Sequence, residues 1–325
     1  MKKLNFIIKC GLALLLLSFY SCESWLNVTP SDRLSEEMLF NDREGFVKAL
    51  NGVYIELNTN ELYGRNLTAG ALDVMGQYYS VASSSHAFYN YGGLVYTGND
   101  EKALFDNMWQ KCYAVIACCN TIIEKCDENK AGLSPVWRGS IKGEALALRA
   151  MLHFDMLRLF GPLTSELDKE SIPYQTNSDQ TVTPLLSGSE VVGLILDDLK
   201  NAVGLLKDTD PYFVEEEFSD TDLNYRRFRM NYFAAKGLMA RVQLWGGDKE
   251  KAAATAKEVI AEGQAEGAEF FPFVTNSEAT SSNPDRVFYS EVLFGTYHSS
   301  REKLHEDLFA PTLESTSILT LAGTA

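Results

Sequence analysis

Apolar residues recur at three- and four-residue steps through much of this chain, and six stretches hold that period long enough to predict helices. Asp42–Leu57 places Phe46, Leu50, Val53 and Tyr54 on one side. Leu104–Cys126 and Trp137–Phe160 form a pair across a short linker holding Gly132 and Pro135, and Glu190–Leu206 pairs with Met230–Trp245. Met230–Trp245 then turns through Gly246-Gly247-Asp248 into Lys249–Glu262, with Asp248 as N-cap, Gly263 at the stop, and Ala252, Ala256 and Ile260 facing inward. Strand patterning is sparse, the best stretches being Arg286–Phe294 and Leu94–Tyr96.

The run Gly143–Leu163, GEALALRAMLHFDMLRLFGPL, is apolar nearly all the way round. Leu148, Leu152, Met156 and Leu159 repeat at helical steps while Ala147, Met151, Phe154 and Leu157 fill the flanks, so both faces need helical neighbours. Gly161 is suited to a positive φ just past the helix, and Pro162 forbids continuation. Arg149, His153, Asp155 and Arg158 lie inside this cylinder and must bond to one another or to nearby backbone if buried, which reads as a polar lock and not as a catalytic set. Leu159-Phe160-Gly161 and Leu244-Trp245-Gly246 close two long helices in the same way. Helix pairs without an exact period, each leaving an apolar face bare if isolated, predict a mainly α fold: a tetratricopeptide-like, right-handed superhelix of helix pairs with long loop excursions and few short strands.

Gly143–Leu163, followed in order by Ile172-Pro173-Tyr174, Val191–Leu206, Arg229–Asp248 and the short apolar Glu291–Phe294, resembles the SusD/RagB-like family of surface lipoproteins. The resemblance implies the same superhelix, with a ligand site carried on insertions. It also implies a non-catalytic protein that binds glycan or another nutrient and delivers it to a TonB-dependent outer-membrane transporter of the SusC/RagA type. It further implies a SusD-like N-terminal domain over 22–229 and the start of a C-terminal domain over 230–325. Members usually continue well past the point reached here, so a truncated C-terminal domain is expected.

Met1–Ser21 has the build of a secretory signal, with Lys2, Lys3 and Lys9 ahead of an apolar core at Leu12–Leu17. Cys22 directly after it resembles a bacterial lipobox cysteine, which implies lipidation and tethering to the outer membrane. Trp25-Leu26-Asn27-Val28 and Pro30, in the leader Glu23–Asp32, are similar to the segment that follows that cysteine in the family. Removing the signal with its three lysines leaves 26 basic against 44 acidic residues, a balance of −18. Such a surface repels phosphate backbones, so nucleic acid is excluded as a partner, whereas a neutral sugar is indifferent to it.

Of six cysteines, Cys112, Cys118, Cys119 and Cys126 fall in one helix. Cys112, Cys119 and Cys126 share a face at seven-residue steps, roughly 10 Å apart along the axis and beyond disulfide reach, and so read as small buried apolar residues. His86, His153, His298 and His305 show no paired ligand spacing, so neither a metal nor another cofactor is expected.

Three excursions interrupt the helices, at Asp73–Asp100, Thr164–Ser189 and Lys207–Arg229, and loops of this length usually carry function. The first is the most unusual in composition: Tyr78, Tyr79, Phe88, Tyr89, Tyr91 and Tyr96 interleave with Gln77, Asn90, Asp73 and His86. Sugars pack C–H faces on rings and bond their hydroxyls to amides and carboxylates, so these ten residues are the candidate glycan platform. The competing reading has the tyrosines packing under the loop. Tyr212 and Phe213 are weaker candidates beside the acidic run Glu215–Glu217. No G-x-S-x-G, H-E-x-x-H or phosphate loop occurs, and nothing singles out a carboxylate pair for a glycosidase. A repeat scaffold that holds protein partners without a small ligand is the alternative function.

Overall fold

The computed structural model describes residues 36–322 apart from 180 and 266–267. The signal, Cys22 and the leader therefore lie outside the described residues. Six long helices carry the fold: α1 (Arg43–Leu57), α2 (Asn99–Glu128), α3 (Pro135–Phe160), α4 (Gly188–Thr209), α5 (Tyr232–Trp245) and α6 (Lys249–Gly263), with a shorter α7 (Arg301–Leu308) beyond them. Each of the six packs on its neighbour in sequence, and α3 also touches α1 and α5. The result is a mainly α, tetratricopeptide-like stack. No helix among the described residues is long and apolar enough to cross a membrane.

The helix starts follow from local chemistry. Asp42 accepts from the Gly45 amide at 2.9 Å, Asn231 from Ala234 at 2.9 Å and Asp248 from Lys251 at 3.1 Å. Ser187 and Glu190 complete a capping box at the head of α4. Each such cap contributes about 1 kcal/mol. The α3 helix lies in the middle of the main core, with Leu148, Leu152, Met156 and Leu157 fully buried. Gly143 is what lets α4 approach: a Cβ there would stand 2.7 Å from Leu206 Cγ.

Gly161 departs from expectation. Its φ is −85°, an extended conformation, and not the left-handed one. Glycine is needed there because a Cβ would meet the Leu157 carbonyl oxygen at 2.4 Å and Ser171 Oγ at 3.0 Å. Ile260 also differs, being 52% exposed. The inner stripe of α6 is Ala252, Thr255, Val259 and Gly263, and Ile260 falls one position past it.

Cys112, Cys119 and Cys126 are free, fully buried thiols along α2, and Cys118 is exposed. The strands are β1 (Tyr79–Ser80), β2 (Glu170–Pro173), β3 (Leu185–Ser187), β4 (Gln264–Ala265), β5 (Ala268–Glu269) and β6 (Thr320–Leu321), paired antiparallel as β1 with β6, β2 with β3 and β4 with β5. Neither strand expected from the sequence forms. Leu94 takes φ 55°, which breaks extension at Leu94–Tyr96. At Arg286–Phe294 the Asp285 carboxylate accepts from the Val287 amide at 3.0 Å and the Tyr289 amide at 2.8 Å, folding the segment into a turn with Phe288 at φ 52°.

Candidate functional site

Arg149 and His153 of α3 are buried among partners, whereas Asp155 is half-buried and Arg158 is exposed. Arg149 grips Asp198 of α4 through Nε at 2.7 Å and Nη2 at 2.6 Å, and its Nη1 donates to Asn120 of α2 at 2.9 Å. Tyr174 donates to the same Asp198 at 2.6 Å and stacks on His153 with centroids 4.0 Å apart. His153 Nε2 accepts from the Gln175 amide at 3.0 Å, so its proton is on Nδ1, which faces the Arg149 carbonyl oxygen at 3.0 Å. Burial holds this imidazole neutral, with its pKa pushed down to about 3. Arg158 bonds Asp155 as expected, and Asp155 also accepts from Tyr63 at 2.6 Å. Arg149 and His153 thus reach partners on α2, on α4 and in the second excursion, while Arg158 stays paired with Asp155.

A second tie went unread in the sequence. Arg226, in the third excursion, is buried against Asp210, bonding it at 3.0 and 2.7 Å, and also bonds Glu144 of α3. Arg229 and the Tyr54 hydroxyl donate to Glu144 at 3.0 and 2.7 Å. Burial raises the Glu144 pKa, but Arg226, Arg229 and Tyr54 outweigh it and hold the carboxyl below its ordinary range. Only the arginine run itself, RRFR at 226–229, could have signalled this from the sequence.

The first excursion is built differently. Phe88, Tyr91 and His86 are buried, so the expectation that they contact ligand is corrected for all three. Phe88 and Tyr91 pack with Ala71, Val74, Leu308 and Leu319 in a satellite core, and burial with nearby Glu101 pushes the Tyr91 hydroxyl up to about 12. His86 Nδ1 accepts from the Phe88 amide at 2.9 Å, leaving a buried Nε2 without a partner. Tyr96 is half-buried with its ring edge-on to Phe105 at 5.4 Å. Asp73 is half-buried, which raises its pKa, and its carbonyl oxygen accepts from the Tyr78 amide at 3.0 Å. Tyr78 stands 70% exposed.

Gln77, Tyr79, Tyr89 and Asn90 come together on one groove of about 510 Å³, alongside Val81 and Val95. Tyr79 leans on Phe309 at 5.2 Å, and Asn90 Nδ2 donates to Glu101 at 2.8 Å, so both are held in place. Gln77 sits on the rim at φ 59°, a conformation costing a non-glycine residue about 1 kcal/mol. Ala322 completes the wall because β6 pairs with β1. No local pattern in the sequence could have announced that contribution. Thus an aromatic pair, two amides and the Ser80 hydroxyl face a groove whose lining contains no carboxylate. Such a surface can stack on a ligand and hydrogen-bond to it.

Residues 24–244 match the SusD-like family described as starch-binding, associating with outer membrane. The chain is 25% identical over 265 residues to SusD-like protein P2 of Formosa agariphila, covering 79% of this chain and 46% of the relative. SusD-like protein P38 of the same organism is 27% identical over 199 residues, 56% of this chain and 34% of that one. A SusD-like carbohydrate binding protein from Bacteroides vulgatus matches in structure with a TM-score of 0.58 at 24% identity, over 73% of this chain and 47% of the other. A laminarin binding SusD-like protein matches with a TM-score of 0.55 at 18% identity, over 74% and 48%. The chain spans about half the length of P2 and of these two structures. At these identities the structural likeness establishes the helical fold.

Proposed function

We propose, from the premise that this chain belongs to the SusD-like family, that it captures a neutral glycan at the cell surface in the groove of the first excursion and passes it to a TonB-dependent transporter. The observation carrying this reading is the convergence of Tyr79, Tyr89, Gln77 and Asn90 on one groove of about 510 Å³. That volume lies within the usual range for small-ligand sites, roughly 300–1,000 Å³. Ring faces take the C–H surface of a sugar, and the amides take its hydroxyls. The family description names starch, and one structural neighbour is named for laminarin. The acidic balance of the chain, −15 over all 325 residues, disfavours anionic glycans and nucleic acid.

The protein acts without catalysis, as a binding component tethered through lipidated Cys22 to the outer membrane. Each buried acyl methylene adds about 0.8 kcal/mol, so two or more chains anchor stably. Native affinity electrophoresis of the full chain through soluble starch and laminarin tests the binding claim. Retardation that is weakened about tenfold in Tyr89→Ala supports it, whereas migration unaffected by both polymers sinks it. Release of reducing sugar from either polymer would overturn the non-catalytic reading.

A further inference from the structure

A second set of rings, exposed Tyr225, Tyr289 and Tyr297 around half-buried Phe228, lies on residues that share nothing with the groove. Phe228 has its centroid 6.3 Å from Tyr225, 5.9 Å from Tyr289 and 5.6 Å from Tyr297. Tyr225 and Tyr289 are each tilted 34° from the Phe228 plane, and Tyr297 stands edge-on to it. Tyr225 is 59% exposed and Tyr297 is 66% exposed. Full burial of an aromatic side chain stabilises by roughly 1.5–3 kcal/mol, and at these positions most of that is forgone.

The ring cluster is also braced. Arg227 donates to the carbonyl oxygens of Phe270 at 2.6 Å and Tyr289 at 3.2 Å, lies 5.0 Å from the Tyr289 centroid, and accepts on its own carbonyl oxygen from the Gly295 amide at 3.0 Å. Alongside Tyr289 runs a groove of about 590 Å³ lined by Arg227, Ser277, Glu278, Asn283, Asp285 and Ser290. Glu278 and Asp285 are fixed by backbone amides, Glu278 by Thr275 at 2.8 Å and Asp285 by Tyr289 at 2.8 Å, yet each carboxylate has further lone pairs for ligand hydroxyls. Two carboxylates against one guanidinium oppose an anionic ligand. Ring faces beside oriented hydroxyl, amide and carboxylate oxygens suit a neutral oligosaccharide.

We infer that Tyr225, Phe228, Tyr289 and Tyr297, with the groove beside them, form a second contact surface for a neutral oligosaccharide. This rests on the glycan-binding reading and extends it with a second place that holds the same class of ligand.

The test uses the full chain in affinity gels of soluble starch and laminarin, comparing wild type, Tyr89→Ala, the Tyr225→Ala/Tyr297→Ala double variant and the triple variant. The double variant should weaken retardation about tenfold, equivalent to about 1.4 kcal/mol for two exposed rings, and the triple variant should abolish it. Because Tyr225 and Tyr297 are exposed, circular dichroism should match wild type. A double variant that runs as wild type while Tyr89→Ala is weakened overturns the second surface and leaves the first standing. Wild type unretarded by either polymer overturns both.

Discussion

Arg149 and His153 on α3 are buried with partners from neighbouring elements, whereas Tyr79, Tyr89 and Gln77 of the first excursion keep a face open to a groove. In sequence both regions look like sites. The helix spends its polar groups on neighbouring helices, and a buried ion pair of this kind contributes little net stability while fixing which surfaces meet. The excursion spends Phe88 and Tyr91 on a small core beneath it and so leaves the remaining rings free. Composition cannot separate the two, because what differs is whether each side chain has a partner elsewhere in the chain.

That contrast can be broken most severely at the buried arginines. Asp210→Ala leaves Arg226 without its two-point partner inside the stack and should cost about 3–5 kcal/mol in urea unfolding. Phe88→Ala should cost about 3 kcal/mol but only locally, loosening the satellite core. Hydrogen exchange should then rise in 71–96 and 304–321 while α3 stays protected; equal loss of protection in α3 would show that the two regions are one cooperative unit.

Acid should act on the stack. His153 has a folded pKa of about 3, below its ordinary value near 6.5, so the unfolded chain takes up the extra proton first as pH falls. The stability due to the neutral imidazole is complete above about pH 6.5 and is lost toward pH 3, at up to about 1.4 kcal/mol per pH unit. Urea midpoints for wild type and His153→Gln should converge as pH drops from 6.5 to 4.5, and parallel curves would contradict this. At the excursion surface, Tyr89→Ala should change stability by less than about 0.5 kcal/mol while weakening glycan binding about tenfold.

The helices were legible because their signals are local. Asp42, Ser187, Asn231 and Asp248 cap them from within three residues, and the Cys112, Cys119 and Cys126 stripe needed only the helical period to place it inside. Contacts far apart in sequence were not legible. Arg226 meets Glu144 across 82 positions, and β1 meets β6 across 240, with no periodicity to mark either. The strand expected at Arg286–Phe294 failed for a local reason, since Asp285 offers the backbone a turn that competes with extension, and the one at Leu94–Tyr96 failed where Leu94 takes a positive φ. In the excursion the residue types were visible, but the division between buried Phe88 and Tyr91 and open Tyr89 depended on Leu308 and Leu319, which reach it from the far end of the described chain.

The pairing of β1 with β6 has a temporal consequence. Every long helix of the stack docks on the one made just before it, so that part can assemble while the chain is still emerging. The groove has to wait for Thr320 and Leu321 to arrive beside Tyr79 and Ser80. A nascent chain therefore forms these helices before it can close this groove.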